Sequence, residues 1–277
     1  MVTMEDSYGK RRRGNPWICF GFVVCLLIVV VVMSTPVIMK SRTKSDVTTT
    51  MNNAKQIFYL MIEFDAEFGD FPSDSTAVDE LAGCTGEFSN DYFAQFFAAG
   101  YTKSEEIFYA KGGSGIRKRP DNIITPRSEL LSAGECGFAY IKNLSTENHA
   151  ETPLLLAPMY GNGFKFNTDA YDGKGVVLQI DGAVKQLKLD ELGNPLRKDG
   201  TGLFDAGKKS PWGEKGFDAA NLCYAEGTYH FTPTLRGIFS LSDVFLGVIA
   251  VGFVSLMIWL IARPRTRVEK EPSISQA

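Results

Sequence analysis

Hydrophobic positions along the chain fall into four textures. Trp17 to Met39 is a 23-residue stretch without a charge, and Val244 to Ala262 is a 19-residue stretch of the same kind. Each approaches the ~20 apolar residues a helix needs to cross ~30 Å of hydrocarbon, so each predicts a transmembrane helix. From Asp46 to Phe68 the pattern becomes amphipathic. Apolar residues recur at Ala54, Ile57, Met61, Phe64 and Phe68, a 3-4-3-4 spacing that puts them on one helix face, with Phe58 and Leu60 widening the stripe. Gly69 followed by Phe71-Pro72 supplies the expected stop. Only charges and hydroxyls separate Met39 from Asp46, so the first apolar stretch and this helix read as one long rod.

A second helix is predicted at Ser89, taken as N-cap, with Asp91 in the first turn, Phe93, Phe96 and Phe97 as its apolar set and Gly100 as its end. A third is expected from Ser128 to Ala133. Beyond residue 135 the pattern turns to strands: Cys136 to Ile141, Leu154 to Ala157, and the pair Gly175 to Asp181 and Ala183 to Leu189. The last two flank Asp181-Gly182, a two-residue hairpin signal. Leu192-Gly193-Asn194-Pro195 reads as a further turn, and from Asp205 to Arg236 the periodicity fades into what reads as a tether. The fold class expected is therefore α+β, a long N-terminal membrane-rooted helix packed on an antiparallel β-sheet, plus a C-terminal transmembrane helix.

Charge sharpens the organisation. Residues 1–16 carry a net +2 through Lys10, Arg11, Arg12 and Arg13, residues 263–277 carry +2, and the segment between the two apolar stretches carries −7 within a total of −3. Basic clusters flanking apolar spans are held in the cytoplasm. The expectation is a two-pass inner-membrane protein: a basic tail at 1–16, a span at 17–39, an extracytoplasmic domain at 40–205, a tether at 206–240, a span at 241–262, and a second basic tail at 263–277. The first span is longer than a signal-peptide core and ends Val32-Met33-Ser34-Thr35-Pro36, so an uncleaved anchor is expected.

The stretch from Asn53 to Pro72, with Asp65, Gly69, Phe71 and Pro72 closing a membrane-rooted helix, resembles the helix end of type II secretion pseudopilins and related type IV pilin-like proteins. Gly173 to Val184 is similar to a strand-turn-strand near the C-terminus of a bacterial branch of that group, as are Ser89 to Phe93 and Gly134 to Tyr140 to other segments of it. The likeness covers about residues 17–205 and implies the pilin-like fold. Lys10-Arg11-Arg12-Arg13-Gly14 imitates the leader of that family, but Asn15-Pro16 stands where Phe is usual and Cys19 where a glutamate is. The second apolar stretch is also foreign to it. The fold is taken from the resemblance and the filament role is not.

Candidate chemistry changes this picture little. Glu63, Asp65, Glu67 and Asp70 are accounted for by a solvated helix face. Asn167, Asp169 and Asp172 before Gly173 place oxygen ligands at near-alternate positions, as a calcium loop does, and form the metal candidate, with Ca²⁺ as the only cofactor considered. The resemblance points the same way, since some pseudopilins hold calcium in a C-terminal loop. His149 and His230 lie in polar surroundings, and no GxSxG, HExxH or GxxxxGK[ST] motif occurs. Cys136 with His149 is the one drawable thiol–imidazole pair, and a cysteine opening an apolar strand is more simply core. Cys84, Cys136 and Cys223 allow three alternative single bridges. Arg117, Lys118 and Arg119 form a compact basic patch, read as a solvated loop, and an acidic domain is a poor partner for nucleic acid. The expected function is non-enzymatic: a membrane-anchored pseudopilin-like protein, accessory or scaffold in protein–protein contacts near a secretion or pilus-like system. Its partners are the lipid bilayer and proteins, including itself, with no small-molecule substrate. The alternative is a membrane-anchored ligand- or calcium-binding sensor module.

Overall fold

A computed structural model describes residues 16–111 and 118–230, with side chains from residue 41 onward. The chain divides into two compact units, Met1–Phe231 and Thr232–Ala277. The second unit, and with it the expected span at 241–262 and the tail at 263–277, lies outside the described residues, as does the tail at 1–15.

Helix α1 runs from Pro16 to Phe68 and α2 from Ser89 to Ala98. Strands β1 (Ala139–Ile141), β2 (Pro153–Ala157), β3 (Lys174–Gln179), β4 (Val184–Leu189), β5 (Pro195–Leu196) and β6 (Leu222–Cys223) form one curled antiparallel sheet in the order β5-β4-β3-β2-β1-β6. The first five strands are a meander. The sixth returns from far along the chain to pair with β1, Tyr140 opposite Cys223.

The expected fold class is corrected on one point that governs the rest. No helix among the described residues is long and apolar enough to cross a membrane. The described side chains of α1 include Arg42, Lys44, Asp46, Lys55, Glu63, Asp65 and Glu67, and its apolar stripe is already spent on protein. Among the described residues the architecture is a curled half-barrel of antiparallel strands with two α-helices. The membrane-rooted helix, the C-terminal transmembrane helix and the two-pass arrangement are not carried forward.

The stripe itself is seated as its spacing dictates. Ala54, Ile57, Met61 and Phe64 have no exposed surface, while Phe58, Leu60 and Phe68 are half-buried. Phe64 stacks on Phe68 at 4.3 Å between ring centres and meets Phe96 edge-on at 5.5 Å. Gly69, at φ +82°, donates to Asp65 O and ends the helix. Phe71 is then buried, its N–H bonded to Leu144 O, and the Tyr140 hydroxyl donates to Pro72 O at 2.7 Å.

Strands β1, β2 and nearly all of β3 are buried residue after residue, whereas β4 alternates between half-buried and exposed. The centre of the sheet is thus covered on both faces and its β4 side faces water on one. Part of the cover was unexpected. Phe204, Trp212, Phe217 and Tyr224 pack on the core, and Phe204 and Trp212 both approach Phe217, at 4.9 and 4.7 Å. The segment read as a tether from Asp205 therefore belongs to the domain at least as far as Ala225, which is buried.

Three local expectations differ from the structure. The β3–β4 connection has three residues, not two. Gly182 N donates to Gln179 O and Gln179 N to Ala183 O, with Gly182 at φ +75°, the turn-plus-bulge geometry of a three-residue hairpin. Ser89 does not cap α2. Phe88 takes that place, its N–H bonded to Asp91 Oδ2 at 2.9 Å, while the Ser89 hydroxyl donates to Phe138 O. The helix expected at 128–133 is a single 3-10 turn, Arg127–Glu129.

A closed polar triangle ties β1 to α2. Lys142 Nζ reaches Asp74 Oδ2 at 2.8 Å and the Tyr92 hydroxyl at 2.7 Å, and that hydroxyl donates to Asp74 Oδ1 at 2.8 Å. The Lys142 ammonium holds the Asp74 carboxyl below its ordinary range. A carboxylate whose acidity is strengthened by folding stabilises the fold above its unfolded pKa, and that contribution disappears as pH falls through the folded value. Asp74 is largely exposed, so the effect is small. Asp74→Asn is expected to lower the urea midpoint slightly at neutral pH and to leave it unchanged at about pH 2. Equal losses at both values would show that the triangle acts through packing alone.

Candidate functional site

Asn167, Asp169 and Asp172 occupy the loop that enters β3. Asp169 and Asp172 line an open groove of about 720 Å³, together with Thr43, Lys44 and Thr48 of α1 and Gln186 of β4. Asn167 is buried, and its side-chain oxygen accepts the Asp169 N–H at 3.0 Å. The loop is pinned to α1 by Tyr171, whose hydroxyl lies 2.6 Å from Thr50 Oγ1. The predicted trio is therefore split: two members face the groove, and the third closes its own turn.

A different acidic group is drawn together by the fold. Glu105 precedes the 3-10 turn Glu106–Phe108, Asp121 lies in the following loop, and Glu135 stands just before β1. One carboxylate oxygen of each lies within 4.8 Å of the others. Glu105 and Glu135 have no exposed surface; Asp121 is exposed. Leu131 N–H donates to Glu105 Oε1 at 2.6 Å and Ser132 N–H to Glu135 Oε2 at 2.8 Å. Glu105 Oε2 and Glu135 Oε1 have no hydrogen-bond partner. Lys118 Nζ lies 2.8 Å from Asp121 Oδ2 and 2.8 Å from Glu135 Oε1, the latter a charge contact without hydrogen-bond alignment. Burial, then the neighbouring Glu135 charge, raises the Glu105 carboxyl above its ordinary range. The turn beside Glu105 is held to α1 by Asn53, whose side-chain amide donates to Glu106 O at 3.1 Å and Tyr109 O at 2.8 Å.

Sequence reasoning missed this cluster, and no spacing rule would have found it, because its members come from three loops and share neither a helix face nor a strand face.

The drawable thiol–imidazole pair is not assembled. Cys136 is buried and its thiol lies near Ser89 Oγ and Phe138 O, while the ring of His149 is occupied locally by the Glu151 N–H. Burial raises the Cys84 thiol and pushes Cys223 up to about 11, the reverse of what a nucleophilic thiol needs. Cys84, Cys136 and Cys223 are not disulfide-bonded. Of the basic patch, Lys118 is engaged by the acids and Arg119 is exposed; Arg117 lies outside the described residues.

No family model, curated protein or solved structure matches this chain. Nothing identifies a pseudopilin or type IV pilin-like family.

Proposed function

We propose that this chain is a non-enzymatic interaction protein that works by protein–protein contact, with a second copy of itself as the first partner to test. The observation that supports this is the continuity of α1. One helix runs from Pro16 to Phe68, joining the charge-free sequence Trp17–Met39 to the folded domain, and the first buried side chain among those described is Val47. At 1.5 Å per residue, roughly 45 Å of helix precedes that point. A helix apolar on all sides requires apolar cover, and the same stretch of another subunit supplies it. The acidic domain is carried at the far end of that rod.

Native cysteines provide the test of self-association. Cys19 and Cys25 lie inside the charge-free stretch, whereas the three domain thiols are buried. Mild oxidation of the full chain in detergent is expected to give a cross-linked dimer, and the Cys19→Ser, Cys25→Ser double variant to give none. A full chain that sediments as a monomer at every concentration and binds phospholipid vesicles in that form would sink the proposal.

A further inference from the structure

We propose that Glu105, Asp121 and Glu135 form a binding site for a divalent cation of the calcium class, which clamps the turn held by α1 to the segment leading into β1.

The charge balance of the cluster supplies the first argument. Three carboxylates face one ammonium, that of Lys118, leaving a deficit of two positive charges where two of the acids have no exposed surface. Burying an uncompensated carboxylate is costly, and a divalent ion offsets more of this charge than the single ammonium does. The second argument is the pair of buried oxygens without a hydrogen bond, of which Glu105 Oε2 has no partner at all. Glu105 Oε2 and Glu135 Oε1 are shut off from solvent and accept no hydrogen bond, although the second oxygen of each carboxylate is fixed by a backbone N–H. Those bonds hold both carboxylates in place and leave Glu105 Oε2 uncommitted, as a ligand atom is, while Glu135 Oε1 meets only the Lys118 ammonium.

Lys118 shows where a cation sits. Its ammonium bridges Asp121 and Glu135, yet its side chain is half-exposed, so it can swing into water when an ion takes its place. Asp121, on the exposed side, offers the entry path. All three donors are hard oxygens set on three separate loops, which suits the irregular six-to-eight-fold oxygen shell of Ca²⁺ better than the strict octahedron of Mg²⁺; water completes the shell.

This inference is independent of self-association, and its test is separate. The EDTA-stripped full chain, titrated with CaCl₂, is expected to gain roughly 5–10 °C in Tm once free Ca²⁺ reaches about a hundred times Kd. Glu105→Gln abolishes the gain, and Asp169→Asn in the β3 entry loop leaves it intact. Lys118→Ala, a change at a half-exposed side chain, removes the competing ammonium and lowers the apparent Kd for Ca²⁺. It keeps the proposal testable if Glu105→Gln does not fold. Three results overturn the proposal: no gain with Ca²⁺, a gain lost in Asp169→Asn but kept in Glu105→Gln, or an unchanged Kd in Lys118→Ala. An equal gain with MgCl₂ overturns the assignment to calcium.

Discussion

Phe64→Ala is expected to cost about 3–5 kcal/mol, the range for emptying a fully buried aromatic site. The ring has no exposed surface and touches Phe68, Phe96 and Tyr101, at 4.3, 5.5 and 6.0 Å between centres. It is where the stripe of α1 meets α2 and the loop after it, so the cavity would open at a junction of three segments with little room to collapse. Urea unfolding measures this through the midpoint at constant slope. Tyr59→Ala, one turn away on the exposed face, is the control and should stay within about 0.5 kcal/mol. If the two variants lose equal stability, Phe64 does not carry the packing of α1 on α2.

Gly137→Ala is the second large expected effect, and it acts through the backbone. A Cβ at position 137 would stand 2.4 Å from both the N and the O of Ala110, closer than any side-chain carbon can approach main chain. Gly137 N–H also donates to Phe108 O at 2.8 Å. Two chain segments are thus pressed together, one beginning at Glu105 and the other at Glu135. Forcing them apart is expected to cost at least the ~1–3 kcal/mol of an overpacked core. Because the same displacement separates Glu105 from Glu135, the variant is also expected to lose its Ca²⁺-dependent gain in Tm. A stable Gly137→Ala with an undiminished response to Ca²⁺ would show that the two acids do not act together.

The two substitutions mark different degrees of legibility in the sequence. The environment of Phe64 could be read in advance, because a helix repeats every 3.6 residues and a buried face leaves a periodic trace: Ala54, Ile57, Met61 and Phe64 were picked out by spacing and are all buried. Gly69 as the stop and Asp181-Gly182 as the reversal were legible for a similar reason, since left-handed backbone favours glycine. The hairpin's loop length was not, because one more residue in the turn changes the pairing but not the turn residues. The close approach at Gly137 left no trace, because the partner, Ala110, is 27 positions away.

The wider errors have a common physical origin. Two charge-free stretches and their basic flanks carried the reading of a two-pass membrane protein. Composition says how much apolar surface must be covered, not what covers it. The residues after Asp205 looked like a tether because Gly, Lys and Pro dominate there, yet Phe204, Trp212 and Phe217 gather into an aromatic cluster on the core. Scattered aromatics without a period are invisible to pattern reading and form a cluster only when the chain folds back.

The sequence alone determined the face by which α1 packs, where that helix ends, the four strands between residues 136 and 189, the acidic middle, and the lack of any recognised catalytic motif. These are properties of neighbours along the chain, and backbone geometry converts them directly into local structure. Only the tertiary structure decided that β6 closes on β1, that the segment after Asp205 covers the sheet, that Ser89 serves a strand and not a helix cap, and that Glu105, Asp121 and Glu135 converge on one ammonium. Each of these joins residues far apart in sequence, and their meeting is set by chain closure around the whole core, which no local period encodes.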